Sequence, residues 1–242
     1  MTAIVGGPPP SRSIIDAHRA VQQAAKEVLG ELAPSLSSSD TEASIAQRAT
    51  DGLHRRGLTQ TWYHACPALV LLGTRSGLSI SGREYQPASE LVGPTNVVTV
   101  DLSPRREDFW GDCARTFFIE DGRVTTSPVR SEFARGKQFL ESLHTAMPIF
   151  VQYGTTFHEL FEWASAKIST AGFENLDFRG NVGHSLATHR ADRRFIEAGD
   201  HGRLSEAAFF TFEPHVRVVG GRWGFKHENI FFFNADRMVE EL

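Results

Sequence analysis

Four acids and one histidine carry the chemistry that this sequence suggests. Asp101 and Asp112 stand eleven positions apart in VVTVDLSPRREDFWGDCARTFFIEDG, within two apolar, β-prone runs. VVTVDL alternates as a strand does, ARTFFI reads as its return partner, and the polar, proline-containing segment between them reads as a turn. If the runs pair as a hairpin, the two carboxylates face one another near the middle of a sheet. Buried like charges at that range repel, and one takes up a proton unless a cation sits between them. The pair is the first hint of a metal ion.

A second pair repeats the pattern. Glu213 lies between Phe212 and Pro214 in FFTFEPHV, and Glu228 lies in GFKHENIFFF beside aromatic residues that ought to be buried. A carboxylate in such a run is costly unless it is paired, hydrogen-bonded or metal-bound. His184, in the glycine-flanked NVGHS, adds a neutral nitrogen donor. Four carboxylates and one imidazole make a hard, oxygen-rich donor set, unlike the Cys/His set of structural zinc. It suits manganese, iron or cobalt, with zinc as a further candidate.

The elements that must position these groups follow from periodicity. Residues 1–11 read as a flexible arm. Ile14, Ile15, Val21, Ala25, Val28, Leu29 and Leu32 recur at helical spacing, and Pro34 closes that helix. Asp40 is the expected N-cap of a second helix through Ile45, Ala49 and Leu53, ending at Gly57. TWYHACPALVLLG and GLSIS read as strands, and the acid-bearing hairpin comes next. A third helix is expected from about Val129 to Phe150, and a fourth from a capping box at Thr156 and Glu159 to just before Gly172. Two β-rich runs, AAFFTFEPHVRVV and WGFKHENIFFF, then close the chain. Helix, helix, acid-bearing β pair thus occurs twice. The order predicts one α+β domain over 12–242, with pseudo-symmetric halves of about 12–122 and 129–242.

Composition narrows the partners. The 242 residues are 40% apolar and 22% charged, with a formal charge of −4 and no basic stripe, so nucleic acid is not expected. No apolar run reaches the roughly 18–20 residues needed to span a bilayer, and the N-terminus lacks the pattern of a secretory signal. Cys66 and Cys113 form no CxxC and read as reduced core thiols, consistent with a cytoplasmic protein. Phe231–Phe233 are expected in the core; on the surface they would make an interface, and a homodimer stays open.

The motifs, in order, resemble those of the metallopeptidases that include methionine aminopeptidase, Xaa-Pro aminopeptidase and prolidase. DLSPRREDFWGDCARTFF is similar to their D-x(10)-D…R-T-F segment, VGHS to G-H-G, FTFEP to F-T-I-E-P, and GFKHEN to G-V-R-I-E-D. The match runs from about residue 12 to 233. It implies the pseudo-two-fold "pita-bread" fold, a curved antiparallel sheet flanked by helices. It also implies a pair of divalent metal ions held by Asp101, Asp112, His184, Glu213 and Glu228, with Asp112 and Glu228 bridging. Two such ions share a hydroxide and aim it at a carbonyl, and Glu213 would take up the proton of the attacking water. Arg115 is expected to organise the hairpin through ion pairs.

Other pocket positions depart from the family pattern. The relatives carry a histidine ahead of the first acid, where SGREYQP has none and Tyr85 is nearest by position. That histidine normally steadies a developing oxyanion, an effect often worth about 2.7–4 kcal/mol. A second family histidine lies seven residues past the metal-binding one; His189 lies five past His184. His64 resembles a pocket-lining histidine of the methionine aminopeptidases, and His215 would share the face of Glu213, whereas His227 should point to the opposite face. The chain is expected to lack the extra N-terminal domain of the Xaa-Pro enzymes. The leading expectation is a hydrolase cleaving the N-terminal bond of a short peptide or a small amide. A lyase or iron-dependent oxidative enzyme acting on a small metabolite, and a non-catalytic binding module, remain as alternatives.

Overall fold

A computed structural model describes residues 9–242. The expected arm falls largely outside the described residues. Among the described residues four α-helices form, α1 (Arg12–Leu32), α2 (Glu42–Arg55), α3 (Ser131–Phe150) and α4 (Phe157–Thr170). The first half carries β1 (Gln60–Thr61), β2 (Ala68–Leu72), β3 (Asn96–Leu102), β4 (Pro104–Arg106), β5 (Phe109–Trp110), β6 (Cys113–Glu120) and β7 (Arg123–Thr125). The second carries β8 (Phe173–Asn175), β9 (Phe210–Phe212), β10 (His215–Val218), β11 (Gly224–Lys226), β12 (Asn229–Phe233) and β13 (Val239–Glu241). Every named strand pairing is antiparallel.

Each half builds its own apolar core. The buried stripe of α1 (Val21, Ala25, Val28, Leu29, Leu32) and that of α2 (Ile45, Ala49, Leu53) cover the sheet ordered β2-β3-β6-β7. In the second half, Phe133, Leu140 and Leu143 of α3 and Phe157, Leu160, Ala164 and Ile168 of α4 bury Phe210, Phe212, Val216 and Phe225. Val97 and Phe118 of the first sheet reach into this second core. Phe231, Phe232 and Phe233 are buried, as their sequence context implied. Both cysteines are free and buried.

Several local readings need correction. The N-cap of α2 is Thr41, whose hydroxyl accepts from the Ser44 N–H while the Ser44 hydroxyl accepts from Thr41. Asp40 instead accepts from the Ser37 backbone and the Ser44 hydroxyl, so it braces the loop ahead of the cap. The third helix begins at Ser131, two residues beyond Val129. Residues 77–81 are not a strand but the end of a 3-10 turn and the coil after it. WYHACP is not extended either, because His64 and Ala65 take left-handed backbone angles of 48° and 57° in φ. The capping box at Thr156 and Glu159 forms as read.

Gly136 shows how tightly helix and sheet meet. A methyl group there would lie 2.5–2.7 Å from the Phe225 ring. Gly136→Ala should therefore lower stability by about 1–2 kcal/mol, overpacking outweighing the gain in helix propensity. A urea titration read by circular dichroism checks this; an unchanged or higher midpoint would contradict the packing argument.

Candidate metal centre

The hairpin expected from the sequence forms, with β3 and β6 paired so that Asp101 lies opposite Ala114. Asp112 is two residues ahead of Ala114, which returns its side chain to the face that Asp101 occupies. Asp112 itself sits just before β6, where no ladder holds it. Gln22 of α1 does so instead: its Nε2 donates to the Asp112 carbonyl and its Oε1 accepts from the Asp112 N–H, both at 2.8 Å.

In the second half, both β-rich runs break at their acid. Phe212 pairs with Asn229 and His215 with Lys226, so Glu213–Pro214 and His227–Glu228 stand opposite one another between two short ladders. Pro214 has no N–H to continue a ladder. The freed amides turn elsewhere: Glu213 N–H donates to Val182 and Glu228 N–H to Ala114, at 2.9 and 3.0 Å. The second bond ties the halves together at the site. Arg115 strengthens that tie by donating to the Glu228 carbonyl at 2.7 Å and to Asn229 Oδ1 at 2.8 Å. It thus organises the junction through a carbonyl and an amide oxygen rather than through ion pairs.

His184 arrives on a bridge to Phe195, its N–H bonded to Thr211 Oγ1 and its carbonyl to Thr211 N–H. The preceding Gly183 has φ of 150°, and a Cβ there would collide with the Thr211 carbonyl. Only glycine lets the two backbones approach this closely. The Nδ1–H of His184 donates to the Ser185 carbonyl at 3.0 Å, which leaves Nε2 with a bare lone pair.

That lone pair faces Asp112 Oδ2 at 3.4 Å and Glu213 Oε1 at 3.8 Å. One donor atom from each of Asp112, His184 and Glu228 lies within 4.8 Å of the others. Asp112 Oδ2 and both carboxylate oxygens of Glu228 are buried without a hydrogen bond, and Glu228 is only 1% exposed. Acceptors turned toward acceptors in a buried place are stable only when a cation or a proton lies between them. Two unit negative charges 4.8 Å apart already repel by roughly 3.5 kcal/mol at an effective dielectric near 20. The donor set therefore fits a divalent ion. In the ion's place, protons answer the strain. Burial pushes the Asp112 carboxyl up to about 6, and burial together with the charges on Asp112 and Glu213 pushes Glu228 well above the usual carboxylate range.

Asp101 and Glu213 have another partner. Lys226 Nζ lies 2.5 Å from Asp101 Oδ2, 3.2 Å from Glu213 Oε2 and 3.9 Å from Glu228 Oε2. Sequence reading passed over this lysine, although GFKHEN places it two residues before Glu228, on the same strand face by alternation. Its charge helps hold Glu213 below the ordinary glutamate range against the effect of burial.

Asp101 and Asp112 border a cleft enclosing about 100 Å³, lined also by Trp62, Tyr63, His215 and Lys226. His215 donates its Nε2–H to the Ser76 carbonyl (2.7 Å) and is pushed down to about 4, chiefly by burial, so it is neutral. Tyr85 points elsewhere, its hydroxyl bonded to both the N–H and the carbonyl of Val70. His189 is exposed at the head of a 3-10 turn, outside the cleft lining. His64 stacks edge-on with Tyr63 and contacts Arg190, outside that lining too. His227 faces away, as alternation implied, against the ring of His144. Arg193, also missed from sequence, lies over Trp62, which in turn stacks on Trp110 with centroids 4.6 Å apart.

Two outcomes follow for the centre. An ion that enters must displace the protons on Asp112 and Glu228, so affinity should fall about tenfold per pH unit per displaced proton as pH drops through about 6. Calorimetry in buffers of different ionisation heat measures the released protons; pH-independent uptake would contradict the assignment. Gln22→Leu leaves both backbone groups of Asp112 unpartnered, and should cost about 2–3 kcal/mol of stability and about 10–100-fold in metal affinity. Thermal melts and metal titration of the same variant check both figures.

Comparison with known proteins agrees with this fold. The X-Pro aminopeptidase of Thermotoga maritima superposes with a TM-score of 0.78 at 17% identity, covering 96% of this chain and 61% of that one. The prolidase of Thermococcus sibiricus gives 0.78 at 17% identity, with 96% and 59% covered. Dipeptidase PepE of Mycobacterium ulcerans gives 0.76 at 20%, with 96% and 58% covered. The chain thus has their fold and spans about three fifths of their length. No curated protein sequence matches it. Residues 12–234 match the family described as metallopeptidase family M24, nearly the whole chain. With the family match covering nearly the whole chain, the chain belongs to metallopeptidase family M24.

Proposed function

We propose that this protein is a metal-dependent hydrolase of the aminopeptidase type, acting in the cytoplasm on the N-terminal bond of a short peptide or on a small amide. The observation that carries the reading is the convergence of Asp112, His184 and Glu228, with unsatisfied buried acceptors, beside a cleft too small for a folded partner. Residues 12–242 act as one catalytic unit on this reading, because donors come from both halves. A divalent ion held there supplies Lewis acidity, activating water and polarising a carbonyl.

The chain's own groups do the rest. Glu213 is ionised, borders the centre and has Oε1 turned toward His184, so it accepts the proton of the attacking water. Trp62 and Tyr63 give the cleft an apolar wall that excludes water and holds the substrate backbone. His215, kept neutral by burial, shapes the floor without adding charge. His64 and Arg190 contact each other outside the cleft lining, so neither is assigned a part at the reacting atoms. His189 and Tyr85 contribute less directly, the one from the surface and the other by bracing β2 through Val70.

Chelator-stripped protein reloaded with manganese, cobalt or iron, then offered a panel of di- and tripeptides and small amides, tests the reading. Release of an N-terminal residue should require the ion. Asp112→Asn should reduce it on the order of 10³-fold, the loss of several kcal/mol of charge stabilisation. Ion-loaded protein that cleaves nothing in the panel, or consumes oxygen instead, would overturn it.

A further inference from the structure

We propose that the centre takes one exchangeable divalent ion, at Asp112, His184 and Glu228, and that the Lys226 ammonium permanently fills the position of a second cation beside Asp101. The inference rests on the metal-dependent reading above and departs from the two ions that the family resemblance implies. Three observations carry it. Donor atoms of Asp112, His184 and Glu228 converge, those of the two acids without a hydrogen bond, and Asp101 is not in the group. Asp101 and Glu213 are held by the same ammonium, at 2.5 and 3.2 Å. Lys226 cannot withdraw by moving its backbone. Its N–H donates to Thr116 Oγ1 and its carbonyl accepts from the same hydroxyl, both at 2.8 Å, and it pairs with His215 across the ladder.

Charge argues through placement rather than through the total, since four carboxylates and one ammonium sum to −1 with one divalent ion and to +1 with two. A second divalent ion would have to take Asp101 from the ammonium and then sit next to it, like charge against like charge. The ammonium also differs from an ion in what it offers: three fixed donors and no open coordination position. It therefore holds Asp101 and Glu213 in place toward the cleft, and Lys226 is a positioning residue for Glu213.

The test uses the full chain, stripped of metal and titrated with Mn²⁺, with the bound ion counted by elemental analysis after desalting. One ion per chain is expected, with the six-line electron paramagnetic resonance signal of an isolated Mn²⁺. Lys226→Met should raise the count to two and give a spin-coupled signal. Asp101→Asn should keep one ion with affinity within about threefold of the parent, and it covers the case in which Lys226→Met does not fold. Two ions on the parent protein, no ion at all, or a large loss of affinity in Asp101→Asn overturns the proposal. Two ions with peptide cleavage would sink this inference and leave the hydrolase reading standing. One ion without cleavage would do the reverse.

Discussion

Electron pairs aimed at one another across a few ångströms, with almost no water between them, set the terms for this whole molecule. Asp112, Glu228 and the Nε2 of His184 are all acceptors, all buried, and all turned inward. No hydrophobic gain pushes them together. They stay there because rigid backbone from both halves leaves them no alternative, and because positive charge is to be supplied between them. Gln22 grips one acid, the Thr211 backbone grips the histidine, and Arg115 with the Ala114 carbonyl grips Glu228. Much of the polar hydrogen bonding at the junction serves to hold groups that repel.

The strand breaks explain how a β-rich half presents carboxylates at all. A continuous ladder through Glu213 and Glu228 would have faced their amides into the partner strand. Ending β9 and β11 one or two residues early frees those amides for Val182 and Ala114, and this swings the side chains to the centre. The aromatic run of β12 then resumes immediately and anchors the far side in the core. Local irregularity at the acids is thus held between two well-packed ladders.

How much of this could be read from the residues alone follows from the range of each signal. The capping box at Thr156, the apolar stripes of α1 and α4 and the pairing of VVTVDL with ARTFFI are local patterns, and they stood in the sequence nearly as they stand in the structure. The acid set was legible because a carboxylate in an apolar run is conspicuous. The stretch 77–81 was misread because a few alternating apolar residues fit a coil wedged against a neighbouring strand as well as they fit an extended one. Asp40 and Thr41 are both good caps, and only the loop geometry chose between them. Lys226 was invisible for a different reason. A lysine in a strand reads as solvent-facing until the acids around it, 125 positions away in the case of Asp101, are seen to converge. Gln22 and Arg193 were hidden in the same way, their partners being distant in sequence.

The grip of Gln22 on Asp112 spans 90 positions. The remaining groups are drawn from points as far along as residues 184, 213 and 228. No stretch of nascent chain therefore owns a usable centre, and a partly folded intermediate has only scattered weak donors. Cation capture becomes a report of completed folding: it rewards the finished topology by mass action and does nothing for the states before it.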